Sequence, residues 1–473
     1  MLDYYHLSFQ RNVVLTNENE ESIILSTNQR KLKLNCISPG IRLVINKLFK
    51  QSTSVKELSD LILETDGENS LTIWYFWQQK LLSNGFLDLI LKHQEIPIIQ
   101  LKTINPECNF ININEDKQYI ISKFTYFRKD TAYTNGWIAV TPLSSFETIL
   151  FNEGITWITS SNPSISVKKI MEYNQEITKE FAICYLTLLL TAGILLETSS
   201  SLSELENQAE LAYWEFHDLL FHSRSRLGRH DKPYGGTYRF MNKTEPEPAI
   251  KKRMSDDIIS LYKPDLEEVT KNDFSFTYVL EQRHSVRHYD NNPITIKQLG
   301  EFLFRCARVK RINHKDTIMP YEITSRPYPN GGAVYEFEIY VIINKCEGIE
   351  DGMYHYEPHS HVLCRLQVDL LNCSNYVHRT SLGSDEIPQI LITFTSRFKR
   401  VSWKYQSMAY ALTLKNVGAL YQTMYLVATS MGLAPCGLGG GDSELFANIS
   451  GVNFYSEPAV GEFALGSYPK NNL

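Results

Sequence analysis

The sequence predicts an α+β chain: two tandem helical units, over residues 1–98 and 99–200, then a larger mixed domain over 201–473. Three observations predict it. Residues 36–90 and 141–198 share one pattern: helix, Ser/Thr-rich turn, helix, then a third amphipathic helix ending in glycine (Gly85, Gly193) before an apolar strand. The C-terminal half interleaves apolar runs of strand length with strongly periodic helices. The composition, 43% hydrophobic and 21% charged over 473 residues, is that of a globular chain with room for two to four domains.

Charge and cysteine usage exclude several classes. A net charge of -6 offers no global attraction to nucleic acid or to an anionic membrane. None of the eight cysteines forms a CxxC pair, so zinc ribbons and thioredoxin-type motifs are unsupported. The start, MLDYYHLSFQRN, lacks the basic and apolar regions of a cleavable signal, so a cytoplasmic chain with free thiols is expected. The run Phe181 to Leu196, interrupted by Thr187 and Thr191, is too short and polar to span a bilayer and reads as a buried helix.

In each N-terminal unit, Ser or Thr before Val55 and Val167 supplies an N-cap, and three helices followed by a strand is a winged-helix layout. A DNA reader needs a basic recognition helix; Ser54 to Glu64, SVKELSDLILE, is acidic on balance. Peptide or partner binding by strand addition at a sheet edge is the stronger expectation. Bracing a dimer is the alternative for the second copy. After a polar gap at Ser199–Ser203, Leu205 to Leu220 has helical spacing. Asp231 to Asp273, rich in proline and charge, reads as an extended surface connection rather than a core element.

The chemistry-bearing stretches follow. Arg283, His284, Ser285 and Arg287 put two guanidinium forks beside a hydroxyl, which is either a solvated basic turn or a phosphate site. Thr295 caps a periodic helix through Val309. Pro329, Asn330, Gly331 and Gly332 form a loop whose backbone can approach a flat ligand, followed by a strand from Phe337 to Ile343. Gly352 to Cys364 reads as a hairpin, and its histidines, without an acidic or thiolate set, are not read as a metal site. Ile387 to Thr395 is a further strand. A long helix from Met408 to Met431 carries a face with small residues suited to core or dimer packing. The run Gly437 to Gly441 reads as a backbone donor loop, and a last strand ends near Lys470.

Taken in order, Arg-His-Ser-Val-Arg, the PNGG loop before a strand, the long helix ending in GLAPCGLGGGD, and a strand ending LG resemble the flavin-dependent nitroreductase fold over the C-terminal half. SRSRLGRHDKPYGGTYRF and the GMYHYEP hairpin narrow the resemblance to SagB/McbC-like azoline dehydrogenases, with the duplicated winged-helix front end most like cyanobactin thiazoline/oxazoline oxidases. The resemblance implies FMN as cofactor and no metal. It implies that Arg283, His284, Ser285, Arg287 and Lys470 hold its phosphate, ribityl chain or pyrimidine. Pro329, Asn330, Gly331 and Gly332 would lie against the isoalloxazine ring, with Gly437, Leu438, Gly439 and Gly440 at its edge. Lys404 and Tyr405 match the group's lysine–tyrosine pair, the implied catalytic residues. His284, where many relatives have a second arginine, and Asn330, where serine is common, depart from the pattern. The implied partners are an azoline-containing precursor peptide, its leader on a winged-helix unit, a second copy of this chain, and an upstream heterocyclase. Against this stand a nicotinamide-driven nitroreductase or quinone reductase, for which no dinucleotide motif speaks, and a non-catalytic peptide scaffold.

Overall fold

The computed structural model describes residues 4–18, 22–27, 30–104, 111–131, 133, 135–160, 164–173, 175–198, 206, 209–230, 232–316, 319–382 and 386–469. The chain divides into two compact units, Met1–Pro233 and Tyr234–Leu473.

In the first unit, β1 (Tyr5–Phe9) is followed by a separate three-stranded sheet of β2 (Val14–Glu18), β3 (Ser22–Ser26) and β4 (Lys31–Asn35). Then come α1 (Pro39–Lys50), β5 (Thr53–Ser54), α2 (Val55–Asp66), α3 (Glu68–Ser83), β6 (Leu87–His93) and β7 (Ile96–Thr103). The Ser54 hydroxyl accepts Glu57 N–H, so the serine before Val55 does cap α2, and Ser38 likewise caps α1 by accepting Ile41 N–H. The second copy runs β8 (Tyr119–Ile121), β9 (Tyr126–Lys129), β10 (Gly136–Val140), β11 (Phe146–Phe151), α4 (Asn152–Thr159), α5 (Val167–Tyr173), α6 (Lys179–Thr191) and β12 (Leu195–Glu197). The repeat extends to strand pairing. β1 pairs with β5 and β6, and β8 likewise bridges to Ile165 and pairs with β12.

Three expectations for this unit change. Phe146–Phe151 is a strand, not part of the first helix of the second copy, because FETILF is a short β-prone run buried on both faces. β11 pairs with β7, which joins both copies into one seven-stranded sheet, β5-β1-β6-β7-β11-β10-β9. The edge of β7 is therefore occupied, and the boundary expected at 98/99 falls inside that strand. The helix expected from Leu205 to Leu220 lies partly outside the described residues; its described part breaks before α7 (Phe216–Arg224), where Glu215 is extended and Trp214 closes a turn onto Leu211.

The second unit has an all-antiparallel seven-stranded sheet. Its strands, in chain order after the short β13 (Gly235–Gly236), are β14 (Ile258–Ser260), then, beyond the small hairpin β15 (Arg311–Asn313) and β16 (Ile323–Ser325), β17 (Phe337–Ile343), β18 (Gly352–Glu357), β19 (Val362–Arg365), β20 (Ile390–Ser396), β22 (Leu433–Leu438) and β23 (Ala459–Ser467), with β21 (Tyr405–Gln406) paired to β13. The spatial order is β14-β19-β18-β17-β20-β23-β22. The helices are α8 (Leu266–Asn272), α9 (Phe276–Gln282), α10 (Ile296–Ala307), α11 (Leu370–Thr380), α12 (Phe398–Lys404), α13 (Ala409–Ser430) and α14 (Ser443–Ser450).

Strand alternation builds two cores. Ile339, Val341 and Ile343 pack with Phe302, Leu303, Leu420 and Met424 of α10 and α13; Tyr340 and Ile342 pack with Tyr376 and Phe446 of α11 and α14. The segment expected to be a surface connection contributes β14 to the sheet and α8, because Ile258 and Ile259 find a free edge at β19. No helix among the described residues is long and apolar enough to cross a membrane.

Candidate functional site

Two clusters form in the second unit, at different heights along α13. The first gathers on Gly332. Lys404 is the last residue of α12 and Tyr405 the first of β21, seated by pairing with Gly236. A Cβ on Gly332 would stand 2.2 Å from Tyr405 Oη and 2.7 Å from Lys404 Nζ. A Cβ on Gly331 would stand 2.5 Å from Leu412 Cδ1. Glycine at 332 suits both this close approach and φ +66°.

The loop is held from below. Glu336, fully buried, accepts Asn330 Nδ2 at 2.7 Å and Asn416 Nδ2 at 2.9 Å, while Asn416 Oδ1 accepts Gly331 N–H at 3.0 Å. Asn330 Oδ1 accepts Tyr335 N–H at 2.9 Å, so the Asn330 amide is engaged inside its own loop. What the loop leaves outward is exposed Pro329 and Gly332. Burial raises the Glu336 pKa. Burial also lowers that of Lys404 and, with Tyr238 and Glu336 nearby, raises that of Tyr405. Both shifts favour the uncharged amine and phenol, the direction needed for a proton-transfer pair.

The second cluster gathers on Tyr425. Its hydroxyl shares a hydrogen bond with Ser285 Oγ at 2.8 Å and accepts Gly437 N–H at 2.7 Å, and the Arg283 guanidinium lies 5.3 Å over its ring. Val286 N–H donates to Pro435 O at 2.9 Å, which ties the Arg-His-Ser-Val-Arg segment to β22. Among the described residues neither Arg283 nor Arg287 makes an ion pair with a carboxylate. His284 is engaged at both nitrogens, with Gln282 O at 2.8 Å and Tyr468 Oη at 3.1 Å. Gly437 and Leu438 are not loop residues: they lie in edge strand β22, paired with Phe463 and Glu462, because the apolar run Leu433–Leu438 satisfies its backbone against β23. The open backbone begins at Gly439 and Gly440, where a Cβ would meet nothing within 4 Å. Lys470 lies outside the described residues.

The structure thus joins Gly331 and Gly332 to Lys404 and Tyr405, and Arg283 and Ser285 to Gly437. It does not join the two sets. Asn416 and Tyr425 are separated by about 14 Å of helix rise. An apolar cavity of about 220 Å³ beside His284 and Tyr468 lies by the second cluster and is not lined by Lys404 or Tyr405. The residues fit a flavin mononucleotide: two guanidinium groups and a hydroxyl suit its phosphate, and a loop of two glycines without side chains suits a flat ring. Tyr321, Asn416, Glu336 and Tyr425 were not singled out from sequence. Only Tyr425, on the periodic face of the long helix, carried a signal, and that signal reads as core packing.

A model of the nitroreductase family matches residues 280–466. A ThcOx helix turn helix domain matches 1–112, and the cyanobactin oxidase ThcOx matches 119–231. A protein named as a nitroreductase of Methanocaldococcus jannaschii is 28% identical over 188 residues, covering 39% of this chain and 85% of that one. The microcin B17-processing protein McbC of Escherichia coli is 26% identical over 181 residues, covering 37% of this chain and 62% of McbC, less than two thirds of its length. Among solved structures, the E. coli microcin synthetase McbBCD complex with truncated pro-MccB17 has a chain at TM-score 0.33 and 19% identity, covering 52% of this chain and 86% of that one.

Proposed function

We propose that this chain, with a nitroreductase-family domain behind helix-turn-helix and oxidase domains of the ThcOx kind, is a SagB/McbC-like azoline oxidase that oxidises thiazolines or oxazolines in a ribosomally made peptide to the azoles with FMN. The observation that carries this reading is the convergence of Lys404 and Tyr405 on Gly332. Aromatisation removes two hydrogens from the ring, one as a proton and one as a hydride. FMN, when bound, supplies the hydride acceptor, with O2 as the final oxidant. The chain's own residues handle the proton. The neutral amine of Lys404, the form that burial favours, takes it at Nζ beside the Tyr405 phenol, and the ammonium so formed stabilises charge on the ring. Arg283, Ser285 and Arg287 would hold the phosphate, the Gly439–Gly440 backbone would meet the cofactor edge, and Gly331 and Gly332 would allow the loop to approach its ring.

The reading includes a peptide partner, whose leader adds to the edge of β4, which among the described residues pairs with β3 alone and exposes Lys31 and Lys33. It also includes a homodimer, an upstream heterocyclase that forms the ring, and a cytoplasmic site of action. The test is anaerobic mixing of FMN-loaded protein with a thiazoline peptide. Loss of the oxidised-flavin absorbance, with a loss of about 2 Da per ring in the peptide, is expected. Protein that binds no FMN, or flavin bleached by NADPH but not by the peptide, overturns the reading.

A further inference from the structure

Lys404 is held by a residue 83 positions away in sequence. Its Nζ donates to Tyr321 Oη at 2.6 Å and to Gly332 O at 3.3 Å, and Tyr321 Oη donates to the same carbonyl at 3.1 Å. Ammonium, phenol and carbonyl close a triangle on the glycine that also abuts Tyr405. Two of the three N–H donors of Lys404 are committed there.

Tyr321 is itself immobilised. It is 2% exposed, and its ring packs on Trp403 at 5.8 Å and Tyr238 at 6.3 Å. The Arg400 guanidinium lies 5.9 Å over it, fixed by bonds of 2.6 Å to the carbonyls of Val334, Glu247 and Glu322. Such a phenol can set the direction of a flexible lysine, which four rotatable bonds otherwise leave free.

We propose that Tyr321 is the positioning residue for Lys404, fixing Nζ beside Gly332. The catalytic consequence rests on the oxidase reading; the control of Lys404 does not. The groups around Nζ are the rings of Tyr238, Tyr321 and Tyr405, at 5.9, 5.2 and 5.2 Å, with Arg400 behind Tyr321 and Glu336 acting on Tyr405. Of these, Tyr321 alone gives Nζ a side-chain oxygen at hydrogen-bond distance. An acceptor favours the ammonium, against the burial that disfavours it.

The experiment compares wild type, Tyr321→Phe and Tyr238→Phe in the full chain loaded with FMN. Acetylation of Lys404 across pH, read by peptide mass mapping, reports its protonation without any turnover. In Y321F the midpoint should fall by about one pH unit, and in Y238F it should stay. With a thiazoline peptide, Y321F should lose about tenfold or more in kcat with KM nearly unchanged, and the acidic limb of its pH profile should move down with the labelling midpoint. A Y321F midpoint equal to wild type overturns the proposal, whatever the activity. Absence of azoline oxidation in wild type, with the midpoint shift present, overturns the oxidase reading and leaves the control of Lys404 standing. Should Y321F fail to fold, 3-fluorotyrosine at position 321 keeps the packing while weakening the acceptor; the same downward shift is expected, and its absence again overturns the proposal.

Discussion

Gly332→Ala separates the fold from the chemistry. The backbone at 332 has φ +66°, which costs an alanine roughly 1 kcal/mol. The atoms in the way of the new methyl, Tyr405 Oη at 2.2 Å and Lys404 Nζ at 2.7 Å, are the far ends of side chains and can swing aside. The stability cost should therefore stay near that strain, a fall of about 2–4 °C in Tm for a unit of this size. The catalytic cost is set differently. Clearing the overlap moves both reactive atoms by about 1 Å or more, and a misplacement of that size costs about 100-fold in rate. Thermal melting, flavin content and turnover on a thiazoline peptide are measured side by side. Gly331→Ala, whose methyl would meet Leu412 rather than the pair, is the control and should affect flavin binding more than the rate of the bound enzyme. A G332A protein with full turnover would refute the placement of Lys404 and Tyr405 at the reacting centre.

Three further outcomes follow from other contacts. His355, fully buried, is opposed in its charge by burial, but Cys364 and Glu338, the latter at 2.8 Å, outweigh it and raise its pKa to about 9. Its contribution to stability is thus complete below the ordinary value of 6.5 and lost as pH rises through about 9; urea melts should show that slope, and His355→Gln should flatten it. Burial raises the pKa of Asp88 to about 7, so its ionisation weakens the folded state as pH rises from 3.8 toward 7; Asp88→Asn, which can still accept from Gln100, should raise Tm by several degrees at pH 8 and by little near pH 4. Tyr425→Phe strips the partner from Gly437 N–H and from Ser285 Oγ, and should weaken FMN binding by about tenfold on fluorescence titration while the protein still folds.

Much of the fold was legible where a pattern runs long. The strand Phe337–Ile343 falls where the apolar run predicts it, and the helix expected over Met408–Met431 is Ala409–Ser430. Thr295 caps its helix through a reciprocal bond with Gln298, as a threonine ahead of an apolar period should. Short runs were ambiguous. FETILF sits between a turn and a helix, and six residues do not distinguish a buried strand from a first helical turn. Glycine also misleads: GLGGG reads as loop throughout, yet its first two residues are held as strand because β23 offers them a ladder. At the site, motif residues came through but their supports did not. Tyr321, in MPYEIT, has no local signature, and Glu336 is an unremarked acid in an apolar stretch until Asn330 and Asn416 close on it. Such residues are defined by where other elements arrive, which no spacing in their own neighbourhood records.

The separation of the two clusters makes a prediction of its own. On the proposed reading one flavin meets Arg283, Ser285 and the Gly439–Gly440 backbone, and also the loop that faces Lys404, while the anchors of these sets, Tyr425 and Asn416, stand about 14 Å apart along one helix. That helix exposes Tyr410, Leu414, Gly418 and Gln422 at four-residue spacing, and a Cβ on Gly418 would meet nothing within 4 Å, so a second copy can approach its backbone there. If each site takes its phosphate half from one chain and its proton-transfer half from the other, two inactive proteins should rescue each other. Lys404→Ala removes one half and the double variant Arg283→Ala, Arg287→Ala the other. Unfolding is not needed for exchange, only mixing at low concentration and reconcentration. In a random mixture half the dimers are mixed, each with one intact site of two, so about a quarter of wild-type turnover should return. If both halves of a site come from the same chain, every site in the mixture carries one lesion and no turnover returns. The result therefore decides between a site shared across two chains and one closed within each.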